Sequence, residues 1–372
     1  MRVGKRILLS IILLFNIIII VNAKNNNSIT IQETPVAEEN TAKSAEEKFD
    51  PGKFMFDHIK DAYSWHIIDF KHSSISIPLP VILYSKERGW FFFISNKLNH
   101  GHSTYKGFKI ASEGENSGRI VEIQPDGSEV LPFDISISKN IVAIFISIAI
   151  LLIIFISIAN KYKKYGSSAP KGLQSWLEPV ILFIRDDVAI PSIGQKHYEK
   201  FMPYLLTIFF FIWLNNMLGL IPIFPGGANI TGNIAVTMVL AIFTFVITNI
   251  NGTKIYWQHI VNMPGVPLWL KVPPLPIMPF VEVLGLFTKP FVLMVRLFAN
   301  ITAGHIIGLG FVTLIFLFGE MSKGLAYGLV TPMSLAFMIF MDFLELLVAF
   351  IQAYVFTFLS ALYFGMAIEE HH

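Results

Sequence analysis

The chain contains no cysteine among its 372 residues, which excludes disulfides, thiol nucleophiles and cysteine-ligated zinc or iron–sulfur centres. Charge is scarce as well: Asp, Glu, Lys and Arg make up 15% of the sequence, against roughly 25% in soluble domains. The formal net charge of +2 gives no argument for a nucleic-acid or acidic partner. Neither a Gly-x-x-x-x-Gly-Lys-Ser/Thr loop nor a Gly-x-Ser-x-Gly elbow occurs, so no directly bound nucleotide and no familiar hydrolytic nucleophile are expected. His100 and His102, and the pair His58 and His66, lack a further spaced ligand, so neither metal nor cofactor is expected. What the chain does have is apolar surface: 53% hydrophobic residues, 34 of them phenylalanine, mark an integral membrane protein.

The N-terminal third is unlike the rest. In residues 1–23, Arg2, Lys5 and Arg6 precede an apolar core from Ile7 to Val21, and Val21-Asn22-Ala23 offers small residues for cleavage. This reads as a secretory signal peptide rather than a first membrane helix, because its core is near the lower length limit for spanning. Residues 24–50, poor in hydrophobics, read as a flexible exported linker. Residues 51–135 are expected to form a small α+β exported domain. Phe54, Phe56, Ile59, Ala62, Tyr63, His66 and Ile67 recur at helical spacing, and short alternating runs follow, with Pro125-Asp126-Gly127 as a hairpin signal.

From 139 to 372 the expected class is an all-α polytopic membrane domain with about five spanning helices. Ile141 to Ala159 is an uncharged run long enough to cross, and Lys161, Lys163, Lys164 and Lys171 follow it. The positive-inside rule puts that end in the cytoplasm, in agreement with an exported N-terminal domain. The charged, amphipathic stretch 171–200 is placed at the cytoplasmic surface. Residues 201–222 cross outward, Pro225-Gly226-Gly227 reverses the chain, and 233–250 returns inward. The proline-interrupted stretch 252–280 is read as cytoplasmic or interfacial. Two longer apolar segments close the chain, about 280–319 and 333–368. At about 1.5 Å per residue each is on the order of 55 Å long, against about 30 Å of hydrocarbon. No Gly or Pro between Ser334 and Phe364 can turn the second one. A strongly inclined helix pair joined by 319–332 is therefore expected, rather than pairs of short spans.

Ionisable residues inside these segments are few. Between Lys289 and Glu320 they are Arg296 and His305; between Lys323 and Glu369 they are Asp342, Glu345 and tyrosines. A charge at bilayer depth costs at least about 2.5–3.5 kcal/mol, and arginine cannot escape by losing its proton. Snorkelling to the interface is the bland reading, and it is poorer in an inclined helix. On a helix Asn300 shares a face with Arg296, whereas His305, nine residues on, lies roughly half a turn round. Glu345 and Gln352 share a stripe, with Asp342 to one side. An acid, an imidazole and an amide on adjacent helices suit a proton-conducting aqueous passage. Asp342 fits an ordinary interfacial residue equally well, and Gln352 fits simple interhelical hydrogen bonding.

These residues carry a family resemblance. The runs KPFVLMVRLFANITAGH (289–305), ELLVAFIQAYVFTFLSALYFGMAIEEH (345–371) and KFMPYLLTIFFFIWLNNMLGLIP (200–222) resemble subunit a of the rotary F-type ATP synthase. The resemblance implies a stator subunit that is not catalytic alone but belongs to the membrane sector of a proton-transporting ATPase. It implies the c-ring, the subunit b stalk and the rest of the complex as partners, in a bacterial inner membrane. By the same resemblance Arg296 faces the c-ring carboxylate, with Asn300 beside it and Gln352 packing across from it. Glu282 lies toward the cytoplasmic access path. His305 and Glu345 exchange the acid and imidazole of the familiar bacterial arrangement, as in mitochondrial versions. That exchange implies a pair in the outer half-channel. The choice between H+ and Na+ belongs mainly to the ion site of the c subunit. Residues 1–135 lie outside the resemblance. Two rival readings are a transporter acting alone, which needs its own carboxylate opposite Arg296, and an exported binding protein on a membrane anchor, which leaves Arg296 unexplained.

Overall fold

The computed structural model describes residues 60–70, 73–101, 103–112, 116–165, 171–221, 224–261, 277–321 and 326–369, with 51, 52 and 55. The expected signal peptide and linker lie outside these residues, as do His58, His102 and most of 53–59. Before the first membrane helix stand three small antiparallel sheets. The strands are β1 (Ser64–Phe70), β2 (Ser73–Pro78), β3 (Pro80–Ser85), β4 (Gly89–Ile94), β5 (Phe108–Ile110), β6 (Ile120–Ile123), β7 (Glu129–Val130) and β8 (Phe133–Asp134). Their orders are β1-β2, β4-β3-β8 and β5-β6-β7.

Tyr63, His66 and Ile67 do not belong to a helix, contrary to the spacing. Ser64–Phe70 is a strand, paired from Ser64↔Pro78 to Phe70↔Ser73 with an irregularity between His66 and Ile68. Helical spacing describes one segment alone, and the cross-strand partner at 73–78 overrides it. The hairpin signal at 125–127 does form the β6–β7 turn. Gln124 N–H donates to Ser128 O, Gly127 N–H donates to Gln124 O, and Gly127 takes the left-handed φ of 84° that this turn needs. Val81, Leu83, Leu98, Phe108 and Ile120 make a small core, and the Arg88 guanidinium covers Phe108 while pairing with Glu122 at 2.7 Å.

The remainder is helical: α1 (Lys139–Tyr165), α2 (Leu173–Phe183), α3 (Ile190–Ile193), α4 (Tyr198–Leu220), α5 (Ile234–Ile250), α6 (Lys254–Val261), α7 (Ile277–Met321) and α8 (Thr331–Ile368). A π-helical turn at Ile184–Ala189 joins α2 to α3, and another at Ala326–Val330 leads into α8. Among the described residues four helices are long and apolar enough to cross a membrane. Counting the bent pair Ile234–Ile250 with Lys254–Ile260, at 109°, as one span gives five. The two final helices are continuous, 45 and 38 residues long, or about 67 and 57 Å at about 1.5 Å per residue.

Helix α8 is the centre of the membrane domain, packed on α4 along one side and on α7 along another. Ala349, Ala353, Thr357, Ser360, Ala361 and Ala367 form its buried stripe, and such small side chains let helices approach closely where lipid removes the hydrophobic drive. At Gly365 the approach is extreme: a β-carbon there would stand 1.9 Å from the carbonyl oxygen of Ser192 in α3. Beside it Phe364 stacks on Phe201 with centroids 4.8 Å apart. Buried polar groups are joined across helices, Tyr204 Oη to Thr244 Oγ1 at 2.9 Å and Thr244 Oγ1 to Ser360 Oγ at 3.2 Å.

Candidate functional site

Arg296 sits on an exposed side of α7 together with Asn300. Val292, one turn before it on the same face, is 41% exposed. Only 11% of the most apolar window of α7 or of α8 is buried, against 67% in α4, so the long helices present a wide apolar surface that the described residues do not cover. Among the described residues Arg296 forms no ion pair and no hydrogen bond, and Tyr363 lies within electrostatic range of its guanidinium. An arginine held in such surroundings is uncompensated among the described residues.

His305 points the other way. Its Nε2 is 3.7 Å from where a β-carbon on Gly219 would stand, and the carbonyl oxygen of Ala228 is 3.5 Å from the same point. The imidazole therefore lies against the C-terminal end of α4 and the loop that follows. Glu345 reaches across from α8 into the notch left by Gly304, with Oε1 2.6 Å and Cδ 3.1 Å from a β-carbon position there. That Oε1 is buried and without a hydrogen-bond partner among the described residues, as are Asn215 Oδ1, Asn229 Nδ2 and Thr302 Oγ1. Among the described residues no ion pair or hydrogen bond joins His305 to Glu345; adjacency to Gly304 brings them to one region. One turn beyond Glu345, Asn216 Nδ2 donates to Ala349 O at 3.1 Å, and Thr231 Oγ1 donates to Asn216 Oδ1 at 2.6 Å. These bonds tie α4, α8 and the 224–233 loop together.

Glu282 is near the opposite end of α7. It lines a cavity of about 190 Å³ with Tyr256, His259, Lys289 and Glu369. Along the helix Arg296 stands about 21 Å from Glu282 and about 14 Å from His305, at about 1.5 Å per residue. Asp342 is exposed, one turn before Glu345, and Gln352 is buried at 7% exposure. Among the described residues no hydrogen bond links Gln352 to Arg296. The fold thus creates one polar region near the N-terminal end of α7 and another past its middle, and leaves the arginine between them on the outer face.

Gly304, Gly219, Asn216 and Thr231 were not singled out from the sequence. Gly304 lies inside the ANITAGH run, but nothing along the chain shows that its missing side chain seats a carboxylate from α8. Asn215-Asn216, a polar pair within the apolar α4, was the available signal for the second pair.

Comparison with known proteins agrees with this architecture. A family model described as ATP synthase A chain matches residues 141–365, and a model described as a domain of unknown function matches residues 54–137. ATP synthase subunit a of Chloroherpeton thalassium is 44% identical over 268 residues, covering 68% of this chain and 75% of the relative. The subunit of that name from Chlorobium phaeobacteroides is 42% identical over 285 residues, covering 73% and 79%. That of Myxococcus xanthus is 43% identical over 245 residues, covering 64% and 75%. A match over 73% of the chain is longer than 139–372, so the similarity to the Chlorobium protein reaches back into the region before α1. With the family model spanning more than half of its length and 44% identity sustained over two thirds of it, the chain belongs to the ATP synthase subunit a family.

Proposed function

We propose that this chain is the proton-translocating stator subunit of an F-type ATP synthase, with two offset half-channels that load and unload a carboxylate on each subunit of a rotating c-ring. The observation that carries the proposal is Arg296. It lies on an apolar face left uncovered by the described residues, with no counter-ion among them, between two inward-turned polar regions. A partner's carboxylate passing this face meets a fixed positive charge that favours its ionised form. Protonation makes that carboxylate neutral, and only the neutral form enters lipid at low cost.

In this reading the outer half-channel is built from His305, Glu345 and the orphaned polar atoms of Asn215, Asn229 and Thr302. Buried polar groups of this kind are costly unless water or a proton relay engages them, which fits a hydrated path. The inner half-channel opens at the Glu282 cavity. Asn300 and Gln352 flank the barrier, and Asp342 stands at the margin of the outer path. Lys161, Lys163 and Lys164 at the end of α1 support a cytoplasmic position for that end by the positive-inside rule. Residues 51–135 are then outside a bacterial inner membrane, the C-terminus is inside, and the b stalk completes the stator. Helices about 67 and 57 Å long cannot stand upright in about 30 Å of hydrocarbon, so they run inclined along the ring.

The test is Arg296→Ala in the intact complex reconstituted in vesicles. Proton-driven ATP synthesis is expected to vanish, while the detached catalytic head continues to hydrolyse ATP. Appreciable synthesis by the variant overturns the assignment.

A further inference from the structure

We infer that the domain spanning residues 60–137 forms a fixed wall of the outer proton-access route, holding the 224–233 loop against His305 through a contact between Trp65 and Phe224. The inference rests on the placement of the outer half-channel proposed above, and gives a task to a region for which neither sequence nor family supplies one.

Two separate attachments join the domain to the membrane helices. At α1, Lys139 N–H donates to Ala62 O at 2.9 Å and Asn140 N–H donates to Asp61 Oδ1 at 3.0 Å. The first turn of a helix leaves its N–H groups without internal partners, and residues of the exported domain meet two of them. The second attachment is Trp65. This tryptophan is 3% exposed, yet it belongs to the core cluster of the membrane helices rather than to the domain's own core. Its cross-strand partner Ile77 packs on the same cluster, so this cross-strand pair of the β1–β2 hairpin is applied to the membrane domain. The Trp65 ring meets Phe224 edge-on, centroids 5.1 Å apart at 67°.

Phe224 lies in the connection that returns from α4 to α5. Four residues later comes Ala228, 2% exposed, whose carbonyl oxygen shares the Gly219 notch with the His305 imidazole. The loop is fixed at its other side by Gly227 N–H donating to Leu218 O at 3.1 Å and by the Thr231–Asn216 bond. A route therefore runs from the exported domain through the Trp65–Phe224 contact and along the backbone to Ala228, beside the group placed at the head of the proton path. A domain that merely hung from α1 would have no use for a buried tryptophan at this loop. Trp65 is a positioning residue: it acts on proton capture through the loop, without touching the proton.

The experiment is ATP synthesis by the whole complex in vesicles, measured against the pH of the compartment facing the exported domain. Opposite-side pH and membrane potential are held fixed. For Trp65→Ala and Phe224→Ala the midpoint is expected about 0.5–1 pH unit lower, a three- to tenfold greater proton requirement, with the maximal rate retained at the acid end. Trp65→Phe is expected to restore the midpoint, and the double variant to shift it no further than either single change. A lowered maximum with an unmoved midpoint, or no change at all, overturns the inference, because the contact then serves assembly alone. Where Trp65→Ala yields no assembled complex, Trp65→Leu and Phe224→Leu are read by the same criterion, and failure of all to assemble also overturns it. An unmoved midpoint with Arg296→Ala still inactive removes this inference only, whereas an active Arg296→Ala removes the reading beneath it.

Discussion

Replacing Gly304 by alanine puts a β-carbon 2.6 Å from Glu345 Oε1 and 3.1 Å from its Cδ. Ordinary contact begins at 3.4 Å, so the carboxylate must retreat by about 0.8 Å. The obstructed atom is the far end of a flexible side chain, and the α7–α8 backbones need not separate. A χ rotation of this size costs about 0.5–1.5 kcal/mol. If that falls on the proton-transfer step, the rate drops by roughly two- to tenfold. The expected result is a complex that assembles with wild-type yield and thermal stability but synthesises ATP two- to tenfold more slowly under a fixed proton gradient. Glu345→Asp, shorter by one methylene, removes the overlap, so the double variant is expected to be no slower than Glu345→Asp alone. Unchanged synthesis in an assembled Gly304→Ala complex would refute the claim that the notch positions Glu345. Loss of assembly would show instead that the strain is carried by helix packing.

Gly365→Ala tests the opposite case, since its β-carbon would meet the Ser192 backbone oxygen at 1.9 Å. Backbone cannot swing aside, and overpacking of about 1–3 kcal/mol or more is expected to show as loss of assembled complex on native gels; normal assembly would contradict the close α3–α8 approach. Asn216→Ala leaves the buried Thr231 hydroxyl without its acceptor, a cost of about 1–3 kcal/mol, expected as a lower thermal midpoint of the purified complex. For the acid–imidazole pair, His305→Glu with Glu345→His is expected to recover more synthesis than either single change, and recovery no better than the singles would deny their coupling. Burial holds the Asp61 carboxyl above its ordinary range, despite the Asn140 N–H and the Lys139 charge. A raised pKa in the folded state means that stability falls as pH rises from about 4 through the folded value, then stays low. Asp61→Asn keeps an oxygen acceptor and removes the buried charge. Its unfolding temperature at pH 7 is expected above wild type, with the gap closing toward pH 4; a gap independent of pH would contradict this origin.

Periodicity and charge were sufficient for the membrane class, the long final helices and the phase that separates Arg296 from His305. These are properties of one helix at a time: an apolar run must hydrogen-bond itself in lipid, and a repeat of 3.6 residues sorts side chains to faces. The 125–127 turn is legible for the same local reason. What the chain could not reveal are contacts between segments far apart in sequence. The strand at 64–70 exists because 73–78 pairs with it, against a helical spacing of its own. The notch at Gly304 has meaning only once α8 delivers Glu345 into it, and Asn216 matters only through Ala349 and Thr231. Trp65 reads as one aromatic among many until the fold sets it on Phe224, in the core of a domain to which it does not belong by sequence. A residue's intrinsic preferences are written in its neighbours along the chain. The energy of a buried polar or aromatic contact depends on a partner's position, and for these residues only the packed tertiary structure supplies it.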